Sequence, residues 1–322
     1  MLRKLPSTVM LASLIALAQA GPGIKTADPK ANRAVRSLLQ RLRDGVGKQM
    51  VSGQTDLPDA QWVGDNTGRL PVILGLDFLG TPKSSRGDTS NTQDAINWAK
   101  KQHGIVAYQW HWISPAAPGT KDRGFYSKAT TFDLKVAMDD PKSEGYRSLL
   151  ADIDDVATEL KKMEKAGVPV LFRPLHEAQG RWFWWGDKGP EPCVALYKLI
   201  FHRFTDFHHL HNLAWVWNVY PASQNKGNPA DWYPGNDLVD IVATDYLQSR
   251  QDYLDLVQLT GGTKIVGIAE TMNPPDPDKS IADGARWAYW VTWARRDWNK
   301  NSAPDVKSAM GNSHTVSLPK DQ

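Results

Sequence analysis

Two carboxylates stand where packing alone does not explain them. The segments PVLFRPLHE (169–177) and KIVGIAET (264–271) are apolar, β-branched runs that close on Glu177 and Glu270. A charge at the end of such a run needs a partner or a task, because its desolvation is otherwise uncompensated. One carboxyl group that keeps its proton, facing one that is ionised, is the apparatus of glycoside hydrolysis. The first donates a proton to the leaving oxygen and the second attacks the anomeric carbon. A separation of about 5–5.5 Å would give retention of configuration, and about 6.5–9.5 Å inversion. Structural ion pairs also occupy strand ends, so the two glutamates alone leave both readings open.

Their surroundings favour a saccharide. The chain holds 14 tryptophans, and the stretch RWFWWG (181–186) follows Glu177 directly. A loop lies near the surface, so the four aromatics Trp182, Phe183, Trp184 and Trp185 are not all expected in the core. Trp110, Trp112, Trp215, Trp217, Trp290 and Trp293 fall on three further runs, and Trp232 in a loop. About half of these are expected between strands and helices by alternation, and the rest at the mouth of the site. Aromatic faces stack on sugar rings while Asn, His and Arg bond the hydroxyls. Nucleobases would use similar faces but need a basic groove. Formal charge is +3, two units of which, Arg3 and Lys4, lie in a leader, so the mature chain carries +1. No nucleic-acid footprint is present.

The elements that must position these groups recur along the chain. Short β-branched or aromatic runs occupy 49–54, 71–79, 105–112, 169–177, 213–220, 239–247, 264–271 and 287–293. Helix-like segments such as 92–102, 148–166 and 191–209 lie between them, with Gly104 and Gly167 at helix stops. This alternation predicts a single-domain α/β protein, a (β/α)8 TIM barrel, whose chemistry sits at the C-terminal ends of the strands. An open doubly wound sheet is the alternative, but no glycine-rich phosphate loop follows the first run. The barrel is expected over 21–301, and 302–322 reads as a polar surface tail. Residues 1–20 have the charge, apolar run and Ala18-Gln19-Ala20 site of a signal peptide. The apolar run is too short to cross a bilayer. The chain is therefore expected to be secreted or periplasmic, not membrane-bound, and monomeric.

The block Arg173–Glu177 followed by Gly180–Gly186 resembles the acid/base motif of glycoside hydrolase family 26, the β-mannanases. WHW (110–112), NLAWVWN (212–218) and DIVATDY (240–246) extend the resemblance, which runs from about residue 35 to about 300. It implies an endo-acting, retaining enzyme that cuts β-1,4-mannan, galactomannan or glucomannan through a glycosyl-enzyme intermediate, without a cofactor. Glu177 would be the general acid/base and Glu270 the nucleophile. His176 would bond near the substrate 2-hydroxyl or the nucleophile, Tyr246 would hold Glu270 ionised, and His111, Trp182, Asn218 and Trp293 would shape the subsites. The segment Ala178-Gln179-Gly180 replaces the family's Met-Asn-Gly, and the proline-rich loop after Glu270 has no clear match. Both departures touch specificity. A β-xylanase or mixed-linkage β-glucanase on the same apparatus, or a non-catalytic saccharide-binding barrel, remain the alternatives.

Strict alternation places Arg173, Leu175 and Glu177 on one face, with His176 opposite. Arg173 then lies under the carboxylates or in a structural ion pair of the barrel floor. Val266, Ile268 and Glu270 share a face, as do Val242, Thr244 and Tyr246. Apolar packing by the tryptophans is expected to raise the pKa of Glu177. Other groups read as structural. His202, His208, His209 and His211 form a basic helix end. Asp152, Asp154, Asp155 and Glu159 belong to a solvated face. Gly180 stands where a His-Glu-x-x-His zinc motif needs histidine, so no metal is expected. The one cysteine, Cys193, has no matching His–Asn pair.

Overall fold

The computed structural model describes residues 24–115, 124–218 and 227–320, so the expected signal peptide over 1–20 lies outside the described residues. Eight strands form a closed barrel: β1 (Gly53–Thr55), β2 (Ile73–Asp77), β3 (Ile105–Gln109), β4 (Val170–Arg173), β5 (Leu213–Asn218), β6 (Ile241–Asp245), β7 (Ile265–Thr271) and β8 (Trp290–Thr292). All neighbours are parallel and consecutive, and β8 closes on β1 through Thr292 and Gln54. Each of the eight expected runs coincides with one barrel strand, the first ending a residue later than expected, and closure excludes the open sheet. The first run is split: Met50–Val51 leaves the barrel and pairs with Thr315–Val316.

Two apolar layers follow from period-2 alternation. Ile73, Ile105, Leu171, Val216, Ile241 and Ile265 pack inside the barrel, with Val35, Leu38, Leu39 and Leu42 of the helix Arg33–Gly45. Those four residues form one helical stripe, which covers the end where the strands begin. Leu74, Tyr108, Phe172, Trp215, Trp217 and Val242 point outward, to the surrounding helices. The expectation that many tryptophans reach the mouth is corrected here. Trp110, Trp112, Trp184, Trp185, Trp215, Trp217, Trp287 and Trp290 are all fully buried.

Residues 302–320 are not a patternless surface tail. Ser302–Gly311 is the helix that follows β8. Beyond it, Thr315–Val316 pairs with Met50–Val51, and Leu318–Pro319 pairs with Arg69–Leu70. Ser302, Val306, Ala309 and Met310 are its buried face. They have helical spacing, but two of the four are small or polar, which hid the stripe. Val306 and Met310 pack on Val63 of the helix Leu57–Thr67. Met310→Ala should therefore lower the stability of the whole barrel by about 2–5 kcal/mol, read as a shift of the urea midpoint; a detached tail would leave the midpoint unmoved.

The acidic face of the helix Glu144–Lys165 is also corrected. Asp152 and Glu159 are buried. Asp152 accepts from Trp112 Nε1 (2.7 Å) and Ser84 Oγ (2.6 Å), and Glu159 from Thr92 Oγ1 and Lys162 Nζ (both 2.7 Å). The histidines are taken by separate aspartates: His202 by Asp206, His208 by Asp154 and His211 by Asp28. Cys193 is buried, which pushes its thiol pKa up and leaves it inert.

Burial pushes Asp152 up to about 6, against the opposing hydrogen bonds of Ser84 and Trp112. A carboxyl group raised in the fold stabilises most when protonated. Its contribution is complete below the unfolded value of about 3.9 and is lost as pH rises through about 6. Asp152→Asn should flatten the stability–pH curve between about pH 4 and 7 by roughly 3 kcal/mol. Denaturant titrations at several pH values measure this directly, and parallel curves for the two proteins would contradict it.

Candidate active site

Five inward positions, one from each of β2 to β6, leave the apolar pattern at the C-terminal rim. They are Asp77, Gln109, Arg173, Asn218 and Asp245, each at the end of its strand. They satisfy one another. Arg173 Nη1 donates to Asp245 Oδ2 (2.7 Å), and Nη2 donates to Glu270 Oε2 (2.8 Å) and to Gln109 Oε1. Asn218 Nδ2 donates to Asp245 Oδ1 (3.0 Å) and Gln109 Nε2 to Asp77 Oδ2 (3.0 Å).

Glu270 joins this layer through an irregularity. Thr244 of β6 faces Ile268, whereas the next residue, Asp245, faces Glu270. The extra residue in β7 is a bulge, which re-aims the side chain after it. Val266 and Ile268 pack in the outer layer, so unbroken alternation would have turned Glu270 outward. Tyr246 is corrected in the same way. Val242 points outward, but Tyr246 adopts φ 61° and folds back over the rim. Its N–H donates to the Glu270 carbonyl (2.7 Å) and its hydroxyl to Glu270 Oε1 (2.5 Å).

Past Arg173 the chain also abandons extended geometry. Leu175, Glu177 and Arg181 have φ of 54°, 54° and 59°. Such non-glycine conformations cost of order 1–3 kcal/mol and persist where packing enforces them. Leu175 consequently sits in the outer layer, not beside Arg173. The consecutive residues His176 and Glu177 both line the cleft, which no flat strand allows.

Three of the four loop aromatics, Phe183, Trp184 and Trp185, are buried, and Trp185 Nε1 donates to the His176 carbonyl (2.9 Å). Trp182 remains partly exposed, and its Nε1 donates to Glu177 Oε2 (2.8 Å). Trp182 thus meets Glu177 through a hydrogen bond. Gly180 makes it possible: a Cβ there would lie 1.9 Å from the Trp182 ring.

The cleft has a volume of about 660 Å³ and is lined by Glu177, Glu270, His111, His176, Tyr246, Trp293 and Phe183, among others. It extends between β1, β2 and β8 toward Asp56, Asp94 and Arg296. Asn218 is a correction. It is fully buried, accepts the Glu177 N–H at Oδ1 (3.0 Å) and donates to Asp245, so its amide is spent on the scaffold and not on a ligand. Asp77, Gln109 and Asp245 escaped the sequence reading. Their signal was a polar residue at the next inward step of an apolar strand, which gains meaning only when the strands are side by side.

Charge is tightly balanced here. Burial alone would weaken the Arg173 guanidinium, but Asp245 and Glu270 raise its pKa further. Burial drives Asp245 well above the usual carboxylate range, with Glu270 and Glu177 adding to this and Arg173 opposing. Burial, then the charges of His111 and Arg173, hold His176 well below its ordinary value, so it is neutral. Burial and the Glu270 charge raise Tyr246, which keeps its phenolic proton and donates it.

A closed parallel barrel with carboxylates following β4 and closing β7 over one C-terminal cleft defines the class: a (β/α)8 barrel with two glutamates in its mouth. Within that class the chain belongs to glycosyl hydrolase family 26, whose family model matches residues 27–322. It is 37% identical over 307 residues to a mannan endo-1,4-beta-mannosidase of Thermothelomyces thermophilus, covering 90% of this chain and 61% of that protein. A mannan endo-1,4-beta-mannosidase of Bacillus subtilis is 34% identical over 270 residues, covering 75% and 70%. The crystal structure of a Podospora anserina GH26-CBM35 beta-(1,4)-mannanase superposes with a TM-score of 0.83 at 34% identity, covering 95% of this chain and 71% of that one. The chain spans less than two thirds of the Thermothelomyces protein and 45% of a Piromyces mannan endo-1,4-beta-mannosidase A.

Removing Arg173 would leave buried carboxylates without their cation. Arg173→Met should cost about 3–5 kcal/mol near neutral pH, with a smaller loss near pH 4 as the acids protonate. Equal losses in urea titrations at both pH values would show that packing, not charge, is what Arg173 supplies.

Proposed function

We propose that this chain is an exported, retaining endo-hydrolase of β-1,4-mannan, galactomannan or glucomannan, acting as a monomer by double displacement. The observation that carries the reading is that Glu177 and Glu270 line the same cleft, each aimed by its own donors. Trp182 holds one oxygen of Glu177. Arg173 and Tyr246 hold the two oxygens of Glu270. Glu177 protonates the glycosidic oxygen as Glu270 attacks the anomeric carbon, giving a glycosyl-enzyme ester and the freed chain end. Glu177 then takes a proton from water, which attacks the same carbon and releases Glu270. His111, His176, Tyr246 and Trp293 line the wall that the sugar meets, and Trp182 flanks the acid. Mannan is favoured by the family and by what its relatives cut, and export by the leader. No helix among the described residues is long and apolar enough to cross a membrane.

The test is reducing-end release by the purified chain on unbranched mannan, galactomannan, glucomannan, xylan and lichenan. Release from the mannans is expected. Glu177→Ala should lower turnover about 10²–10⁴-fold, and Glu270→Ala by at least about 10⁴-fold. Proton NMR early in the reaction should show the β anomer first. Release from xylan or lichenan alone would overturn the sugar, an α anomer first would overturn retention, and silence on all five would favour a binding protein.

A further inference from the structure

We propose that Asp77 is a positioning residue for this site: it fixes a proton on His111 Nδ1 and so sets the tautomer of the neighbouring His176 in the cleft wall. The proposal rests on the reading of the cleft as a saccharide site. Asp77 closes β2, and its carboxylate is fully engaged. Oδ2 lies 2.5 Å from His111 Nδ1 and accepts from Gln109 Nε2 (3.0 Å). Oδ1 accepts the backbone N–H groups of His111 (3.0 Å) and Leu79 (2.8 Å). An ionised carboxylate only accepts, so His111 Nδ1 must carry hydrogen.

The consequence passes to the next ring. His111 Nε2 and His176 Nε2 are 3.2 Å apart, close enough to share one proton. When His111 is neutral, its Nε2 accepts from His176 Nε2–H, and His176 Nδ1 is left with a lone pair. When His111 is cationic, it donates to His176 Nε2, and the His176 proton moves to Nδ1. That Nδ1 atom is buried and has no hydrogen-bond partner among the described residues, while the His176 ring lines the cleft. The tautomer of this ring in the cleft wall therefore changes with the charge of His111, with a lone pair at Nδ1 at higher pH and hydrogen there at lower pH.

The groups facing the pair support this order of events. His111 meets Asp77 from β2, Arg173 from β4, Glu270 from β7 and His176. Burial lowers its pKa and Arg173 adds to this, but Asp77 and Glu270 outweigh both and raise it. His176 faces His111 and Arg173, and burial keeps it the neutral partner. Rotation of His111 is blocked by Phe125, Phe183 and Trp293, whose ring centres lie 4.9, 5.6 and 5.9 Å away. Gln109 ties the device to the rest of the site. It donates to Asp77 and accepts from Arg173, so its amide has one orientation.

The experiment is nitrogen-15 NMR of the imidazoles in the full chain from pH 4 to 9, beside the pH dependence of kcat/KM. In the unaltered protein, His111 should hold hydrogen at Nδ1 throughout, and its titration should coincide with a change of tautomer at His176. In Asp77→Asn the His111 midpoint should fall by at least about one pH unit. The corresponding limb of the kcat/KM profile should move with it, and kcat/KM at the optimum should drop about 10–100-fold. A native His111 protonated at Nε2 alone, or an Asp77→Asn protein whose midpoint and pH limb stay in place, overturns the proposal. If Asp77→Asn does not fold, the spectra of the unaltered protein decide. Because the NMR readout needs no turnover, failure of the hydrolase reading and failure of this one are separate results.

Discussion

The buried guanidinium of Arg173 is the constraint on which the rest of the structure depends. A cation beneath the mouth of a barrel, above a layer of isoleucine, valine and leucine, has no water to solvate it. It is tolerable there only with paired and well-aimed acceptors. Those acceptors come from β3, β6 and β7, so the register of four strands and the geometry of the site are one requirement. A slip of any of these strands by one residue would turn its polar end outward and leave the charge unpaired. Specificity of fold and orientation of Glu270 are thus secured by the same hydrogen bonds.

The site itself is built from departures from regular structure. The bulge in β7 and the positive φ values at Leu175, Glu177 and Tyr246 are what bring Glu270, Glu177 and Tyr246 to one cavity. Regular strands would have sent Glu270 and Tyr246 to the helix side. The local cost is carried by packing beneath the loop, where Phe183, Trp184 and Trp185 are buried and Trp184 Nε1 donates to the Trp112 carbonyl (2.6 Å). A rigid aromatic floor is a good foundation for strained residues, because it leaves them no alternative position to relax into.

The tryptophan content therefore has a different meaning from the one its abundance suggests. Most of these rings form the jacket between strands and helices, supplying large buried area, with several indole N–H groups spent on backbone carbonyls. The cleft uses few aromatics, each in a specific place: Trp293 on its wall, Trp182 on Glu177, and Phe125 and Phe183 around His111. Composition placed about half of these rings in the core, and the structure buries more of them than that.

By itself the sequence determined the eight strands, their alternation, the glutamates at 177 and 270 that close apolar runs, and the family. These are legible because each is written within one short segment, where period and residue type report burial directly. The tertiary structure alone decided the inward turn of Glu270, the layer of Asp77, Gln109 and Asp245, the scaffold role of Asn218 and the helix at 302–311. Arg173 meets Asp245 and Glu270 across 72 and 97 residues of chain. A bulge is chosen because it satisfies that buried charge, and a helix with a small, polar face is chosen because Val63 waits for it on another element. Such choices are made by contact energies between distant residues, and no local pattern contains them.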